Sequence, residues 1–157
     1  MLLDHPSVER VTAKLRDLGA NGEVVQLPEA ARTAAAAADQ LGCPVGAIAN
    51  SLVFEADGEP LLIMTSGAHR VDTQQVAAVL ELSAINRADA GFVRKHTGMP
   101  IGGVAPVGHP HPLRTVVDVN LAHFEQVWAA AGHPNTVFPT TYDELLRITG
   151  GTAAEVE

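Results

Sequence analysis

The chain has 157 residues, of which 46% are hydrophobic and 18% charged, with a formal net charge of -8. A chain of this length can bury on the order of 70% of its unfolded surface around one core, and its composition excludes a disordered, collagen-like or coiled-coil protein. Its acidity excludes a protein that holds nucleic acid over its whole surface, because phosphate neutralisation needs clustered Lys and Arg; only local contact with a nucleic acid fits.

Ser7 is placed to cap a helix with Val8, Val11, Leu15 and Leu18 on one face and Gly19 at its end. Val24 to Leu27 reads as a short strand, followed by an alanine-rich helix from about Ala31 to Leu41 that stops at Gly42. The one cysteine, Cys43, cannot form an internal disulfide and reads as a small buried thiol with no chemistry. Ser51 to Ala56 and Pro60 to Thr65 are β-rich runs around Asp57-Gly58-Glu59, which predicts a central antiparallel hairpin. Asp72 and Gln75 form a capping-box pattern for a helix with Val76, Val79 and Leu80 inside.

A short strand around Ser83 to Asn86 and a helix near Ala88 to His96 precede a glycine-rich stretch, Thr97 to Gly108. Arg114 to Val119 then reads as a strand, Leu121 to Ala131 as a helix ended by Gly132, and Thr136 to Phe138 as a strand. Thr141 and Glu144 open a last helix, and Gly150-Gly151 releases the tail. These elements predict one α+β (mixed α/β) domain over residues 1–157, a largely antiparallel mixed sheet surrounded by helices. Met1 to His5 lack the basic start of a leader, and no window approaches the roughly 18 apolar residues of a membrane span, so a cytoplasmic location is expected.

His96, His109, His111, His123 and His133 gather in the second half. His109-Pro110-His111 offers two imidazoles on a proline-stiffened segment, but no H-E-x-x-H helix supplies matching ligands, so no metal is expected. Triads drawn from Ser51 or Ser66, a histidine and Asp118 lack the G-x-S-x-G elbow, and the glycines match neither nucleotide-binding pattern, so no cofactor is expected. What Gly102-Gly103 offers is backbone without side-chain cover, open to a small ligand or to a tight bend.

Thr97-Gly98-x-x-Ile101-Gly102-Gly103-Val104-x-Pro106-Val107-Gly108, then Val116-Val117-Asp118, Ala130-Ala131-Gly132 and Glu144-Leu145-x-x-Ile148-Thr149-Gly150, closely resemble the YbaK/ProX family of aminoacyl-tRNA editing domains. The order and spacing match from about Val24 to the C-terminus, and the Ser51-Leu52-Val53-Phe54 run and Asp57-Gly58 turn also fit. The resemblance implies a mixed sheet wrapped by helices that hydrolyses the ester joining a wrong amino acid to the tRNA 3′ end. Such domains occur inside prolyl-tRNA synthetase or as separate proteins.

By the same resemblance Gly102 and Gly103 line an aminoacyl pocket, Asp118 supports polar contacts there, and His109 is a neighbour. Where many active members carry a lysine in a V-x-K-T-L pattern, this chain reads Ile48-Ala49-Asn50-Ser51-Leu52, with Asn50 at the lysine position and Ser51 beside it. Exchanging an ammonium for a neutral amide costs about 1–2 kcal/mol of interaction. Arg70, in Ser66-Gly67-Ala68-His69-Arg70, offers a replacement cation for phosphate. The expectation is a trans-acting deacylase partnered by the tRNA 3′ aminoacyl end and an aminoacyl-tRNA synthetase, with no DNA and no membrane. The alternative is a member that lost catalysis with its lysine and binds an aminoacyl or amino-acid-like ligand.

Overall fold

In the computed structural model, which describes residues 2–157, a 3-10 turn (Leu2–Asp4) leads into helix α1 (Pro6–Asp17). Pro6 occupies the first helical turn, where its missing N–H costs nothing. The cap is His5, whose Nδ1 accepts the Ser7 N–H at 3.2 Å; Ser7 itself lies inside the first turn, buried, with its hydroxyl donating to the Gly98 carbonyl at 3.3 Å. Strand β1 (Val25–Gln26) is followed by α2 (Ala34–Leu41), which starts later than the alanine run suggests. Its start is set by Thr33, whose hydroxyl accepts the Ala36 N–H at 3.1 Å, while the Ala31 N–H is committed to the Pro134 carbonyl. Gly42, at φ +66°, ends it.

Strands β2 (Ile48–Ala56) and β3 (Glu59–Ser66) form the expected hairpin, and Asp57 and Gly58 both take positive φ, 52° and 88°, as a two-residue turn matched to strand twist requires. Helix α3 (Thr73–Leu80) is capped by Asp72, whose carboxylate accepts the Gln74 and Gln75 N–H groups. Strand β4 (Ile85–Arg87), helix α4 (Ala90–Thr97, capped by Asp89) and strand β5 (Arg114–Asp118) follow.

The predicted helix from Leu121 to Ala131 does not form. A 3-10 turn (Val119–His123) and strand β6 (Val127–Ala130) take its place, because β6 is hydrogen-bonded on both sides and sheet pairing outweighs the helix propensity of three alanines. After β7 (Thr136–Thr140), α5 (Tyr142–Thr149) is capped by the Thr141 hydroxyl, which accepts the Glu144 N–H at 3.0 Å. Glu144 does not reach back to complete a capping box; its carboxylate accepts from the Thr140 hydroxyl at 2.7 Å and the Asn21 N–H at 3.2 Å. The segment after Gly150-Gly151 is not released: β8 (Thr152–Ala154) pairs with β5.

Among the described residues the eight strands form one mixed sheet in the order β1-β7-β6-β2-β3-β5-β8, with β4 also on β2. The β1/β7, β2/β3, β2/β4 and β6/β7 pairs are antiparallel, and β2/β6, β3/β5 and β5/β8 are parallel. Strand alternation divides the core between two faces. Leu62 and Met64 of β3 pack with Val11 and Leu15 of α1, Val93 of α4 and Leu145 and Ile148 of α5. Leu61 and Ile63 pack on the other face with Val76 of α3, and beside them Ala37 and Ala38 of α2 meet Ile48 and Val137. Each fully buried Leu, Ile or Phe of this kind contributes about 1.5–3 kcal/mol.

One feature of the sheet positions the site. On the side of β2 away from β3, β6 pairs only with Ile48 and Ala49, and β4 pairs only with Phe54, Glu55 and Ala56. Asn50 to Val53 lie in the gap between the two partners.

Candidate functional site

A narrow cavity opens at this gap. Asn50 and Ser51 of β2 form one wall, Trp128, Ala129 and Ala130 of β6 another, and the loop residues Arg32, Thr33, Gly102 and Pro134, with Thr136 at the start of β7, close it. The centre of a water-sized sphere can occupy about 40 Å³ of it, enough for a few waters or one small side chain. Ala37, Ala129, Ala130 and Gly102 leave this space by lacking bulk.

The two adjacent glycines have different tasks. Gly102, at φ +88°, borders the cavity, and a Cβ there would sit 3.4 Å from Arg32 Cα. Gly103 does not border it; a Cβ would lie 2.7 Å from the His133 carbonyl carbon and 2.9 Å from Pro134 Cδ. It is the close approach at Gly103 that seats the His133-Pro134 turn against the glycine-rich loop.

Past Ser51 and Val104, which border both spaces, the cavity continues into a wider groove of about 490 Å³. Its walls are the apolar Leu52, Val53, Phe54, Val93 and Ile101, and His69, Arg70 and Arg87 stand along it. The arginine or lysine ion pair among the described residues is Arg147–Glu144, so Arg32, Arg70 and Arg87 stand around the site without a side-chain ion pair, although the Arg70 main-chain N–H donates to the Glu157 carboxylate.

Asn50 makes no side-chain hydrogen bond among the described residues, whereas the Ser51 hydroxyl donates to Met64 Sδ at 3.1 Å. Asp118 is wholly buried and is absent from the cavity wall. Its Oδ2 accepts the Ser66 N–H at 2.9 Å and the Thr65 hydroxyl at 3.4 Å and lies 2.9 Å from His69 Nδ1, while Oδ1 accepts the Asn120 N–H at 2.9 Å. Asp118 thus reaches the groove only through His69. His109 lies in a separate groove beside Lys14 and Leu18, with Nε2 2.7 Å from the Ala105 carbonyl; burial pushes its pKa below the usual imidazole value, against the raising effect of that hydrogen bond.

The His133 pKa is lowered by burial and by the neighbouring His5 and Arg32. Cys43 is half-buried, and burial pushes its thiol pKa up. No group of three or more potential metal ligands occurs among the described residues. No helix among them is long and apolar enough to cross a membrane.

The structure therefore brings Asn50, Ser51 and Gly102 together, places Arg70 along the adjoining groove, and sets Gly103, Asp118 and His109 behind or away from the cavity. Sequence reasoning missed Arg32, Thr33, Trp128, Ala130, Pro134 and Thr136. The signals available were Thr33 as a helix cap and the Val127-Trp128 start of a strand, the latter hidden by the alanines that follow.

A family model described as the aminoacyl-tRNA editing domain matches residues 28–148. The chain is 28% identical over 140 residues to the uncharacterized protein YwhH of Bacillus subtilis, covering 88% of each. It is 30% identical over 91 residues to the proline–tRNA ligase of Leuconostoc citreum, matching 58% of this chain but 16% of the ligase. Among solved structures, a candidate trans-editing enzyme for prolyl-tRNA synthetase superposes with a TM-score of 0.90 at 38% identity, covering 97% of both chains. With the family model spanning most of its length, the chain belongs to the aminoacyl-tRNA editing domain family.

Proposed function

We propose that the chain is a trans-acting aminoacyl-tRNA deacylase that hydrolyses the ester of tRNA mischarged with a small amino acid, a quality-control step of translation in the cytoplasm. The observation that carries this reading is the narrow, alanine- and glycine-walled cavity at the β2 gap of an editing-domain fold. A cavity that holds only a small side chain selects by size, and a methylene is worth roughly 1–3 kcal/mol in such a site. That discrimination is too weak for a synthetase alone, which is why a second, hydrolytic sieve is useful.

No hydroxyl bordering the cavity is paired with a base among the described residues: Ser51 donates to Met64 Sδ, Thr136 donates to the His133 carbonyl, and Thr33 accepts the Ala36 N–H. Water is then the nucleophile. It attacks the ester carbonyl carbon, the bond to the ribose oxygen breaks, and the proton lost by water ends on that oxygen, giving free amino acid and uncharged tRNA. The uncommitted Asn50 carboxamide can donate to the carbonyl oxygen as it gains charge, so the site works by positioning and hydrogen bonding. A synthetase partner is part of the reading, with prolyl-tRNA synthetase the first to test.

The test is a panel of mischarged tRNAs, beginning with alanine on proline tRNA, incubated with the wild type and with Asn50→Lys. Turnover of at least one tRNA carrying a small amino acid is expected, with Asn50→Lys changing kcat/KM by on the order of tenfold. No turnover of any tRNA by the wild type sinks the deacylase reading.

A further inference from the structure

The register of the hairpin determines which main-chain groups of β2 face the gap. The Gly67 N–H donates to the Ile48 carbonyl at 2.8 Å, and the pairing continues with Ala49 opposite Ser66 and Asn50 opposite Thr65. In an antiparallel pair successive residues direct both main-chain groups alternately toward and away from the partner. Even-numbered residues of β2 therefore face β3, and odd-numbered residues face away. The two-residue turn, which closes on Ala56 opposite Glu59, has the same parity.

Ala49 directs its outward groups to β6 and Glu55 to β4. Ser51 and Val53 lie between, where β6 has ended at the Ala49–Ala129 pair and β4 begins opposite Phe54. No main-chain hydrogen bond outside the strand pairings engages either residue among the described residues. The Ser51 carbonyl and the Val53 N–H thus sit side by side on a free strand edge, an acceptor next to a donor.

That pair matches an exocyclic amine, which donates, beside a ring nitrogen, which accepts. Adenine presents it at N6 and N1 and cytosine at N4 and N3, whereas hypoxanthine presents the reverse; of the two, it is adenosine that carries the ester at the tRNA 3′ end. Unstacked bases are read on this edge while their faces pack on apolar side chains. The groove supplies such cover in Phe54 and in Ile101, which is 55% exposed despite its size. It also carries Arg70 and Arg87, neither in an ion pair among the described residues, in a chain of net charge -8.

We infer that this groove holds the 3′-terminal adenosine of the tRNA, with the adenine amine on the Ser51 carbonyl, N1 on the Val53 N–H, and the preceding phosphates on Arg70 and Arg87. The inference rests on the deacylase reading for its substrate. Because Ser51 borders both spaces, the ribose that carries the amino acid sits at their junction and sends the aminoacyl group into the narrow cavity.

Two measurements test it separately from turnover. The ¹⁵N-labelled protein is titrated with the trinucleotide CCA and with the same trinucleotide ending in inosine. CCA is expected to move the Ser51 and Val53 amide resonances, and the inosine-ended trinucleotide to move them much less. Deacylation is then compared on minihelices ending in adenosine, purine riboside or inosine, all carrying the same amino acid. The inosine-ended substrate is expected to lose about tenfold in kcat/KM, the purine-ended one less, and Arg87→Ala to raise KM several-fold with a shallower salt dependence. Unmoved amides at millimolar CCA, or equal kcat/KM for adenosine and inosine ends, overturn the inference. Failure to hydrolyse the adenosine-ended substrate counts against the deacylase reading instead, and the amide shifts still decide what the groove holds.

Discussion

Replacing Asp118 by alanine removes the acceptor for two main-chain N–H groups at once. The Ser66 N–H is fully buried and has no alternative partner, so its loss carries the whole desolvation cost of an orphaned donor, about 1–3 kcal/mol. Asn120 is only partly buried and recovers some of its bond from water. The Thr65 hydroxyl already has the Ser66 carbonyl at 3.2 Å, and His69 is partly exposed, so neither adds much. The expected cost of Asp118→Ala is about 2–4 kcal/mol, or on the order of 10 °C in Tm for a chain of this size. Asp118→Asn can keep its carbonyl on the Ser66 N–H and turn its amide toward Asn120, losing one bond, at about 1–2 kcal/mol. Urea unfolding of the three proteins at neutral pH measures both values from the midpoint and slope. An alanine variant within about 1 kcal/mol of wild type, or an asparagine variant as weak as the alanine one, would refute the assignment of Asp118 as the pin of this loop.

Acidification should destabilise the fold in part through His109. Its folded pKa lies below the ordinary 6.5, so the unfolded chain binds the proton more readily, and the stability held above that value is lost as pH falls through the folded pKa. His109→Gln should flatten the decline in unfolding free energy between about pH 7.5 and pH 5, and an unchanged slope would contradict this. Gly103→Ala must push the His133-Pro134 turn away and should cost about 1–3 kcal/mol by urea unfolding. Gly91→Ala, inside α4 with only Asp89 Oδ1 at 3.4 Å, should instead raise stability by about 0.5–1 kcal/mol in the same assay.

The parts of the fold that were legible in the sequence are those decided within a few residues. Thr141, Asp72 and the Asp57-Gly58 turn act through bonds and dihedrals that span at most four positions, and each forms the cap or turn its pattern predicts. Glu144 and Gln75, by contrast, close no capping box, their side chains being taken by Thr140 and the Glu155 carbonyl, and Val79 of α3 is exposed. Strand β6 was illegible because its identity comes from β2 and β7, far away in the chain, while its own alanines favour a helix. The site shares that origin. Asn50, Ser51 and Gly102 could be singled out from motif and resemblance, but the gap exists only because two other strands stop short of each other along β2. The position of Asp118 is illegible for a similar reason: its burial behind His69 depends on contacts with Thr65 and Ser66, more than 50 residues away.

An unpaired strand edge is ordinarily a hazard, since it templates pairing with another chain. Here the open stretch spans only Asn50 to Val53 and is flanked along the same strand by β6 and β4. A foreign strand needs several consecutive residues to gain a stable ladder, and both ends of this one are already occupied. The interruption leaves main-chain donors and acceptors open over a stretch too short for a polypeptide to pair with, so the protein can carry open backbone at its surface without inviting aggregation.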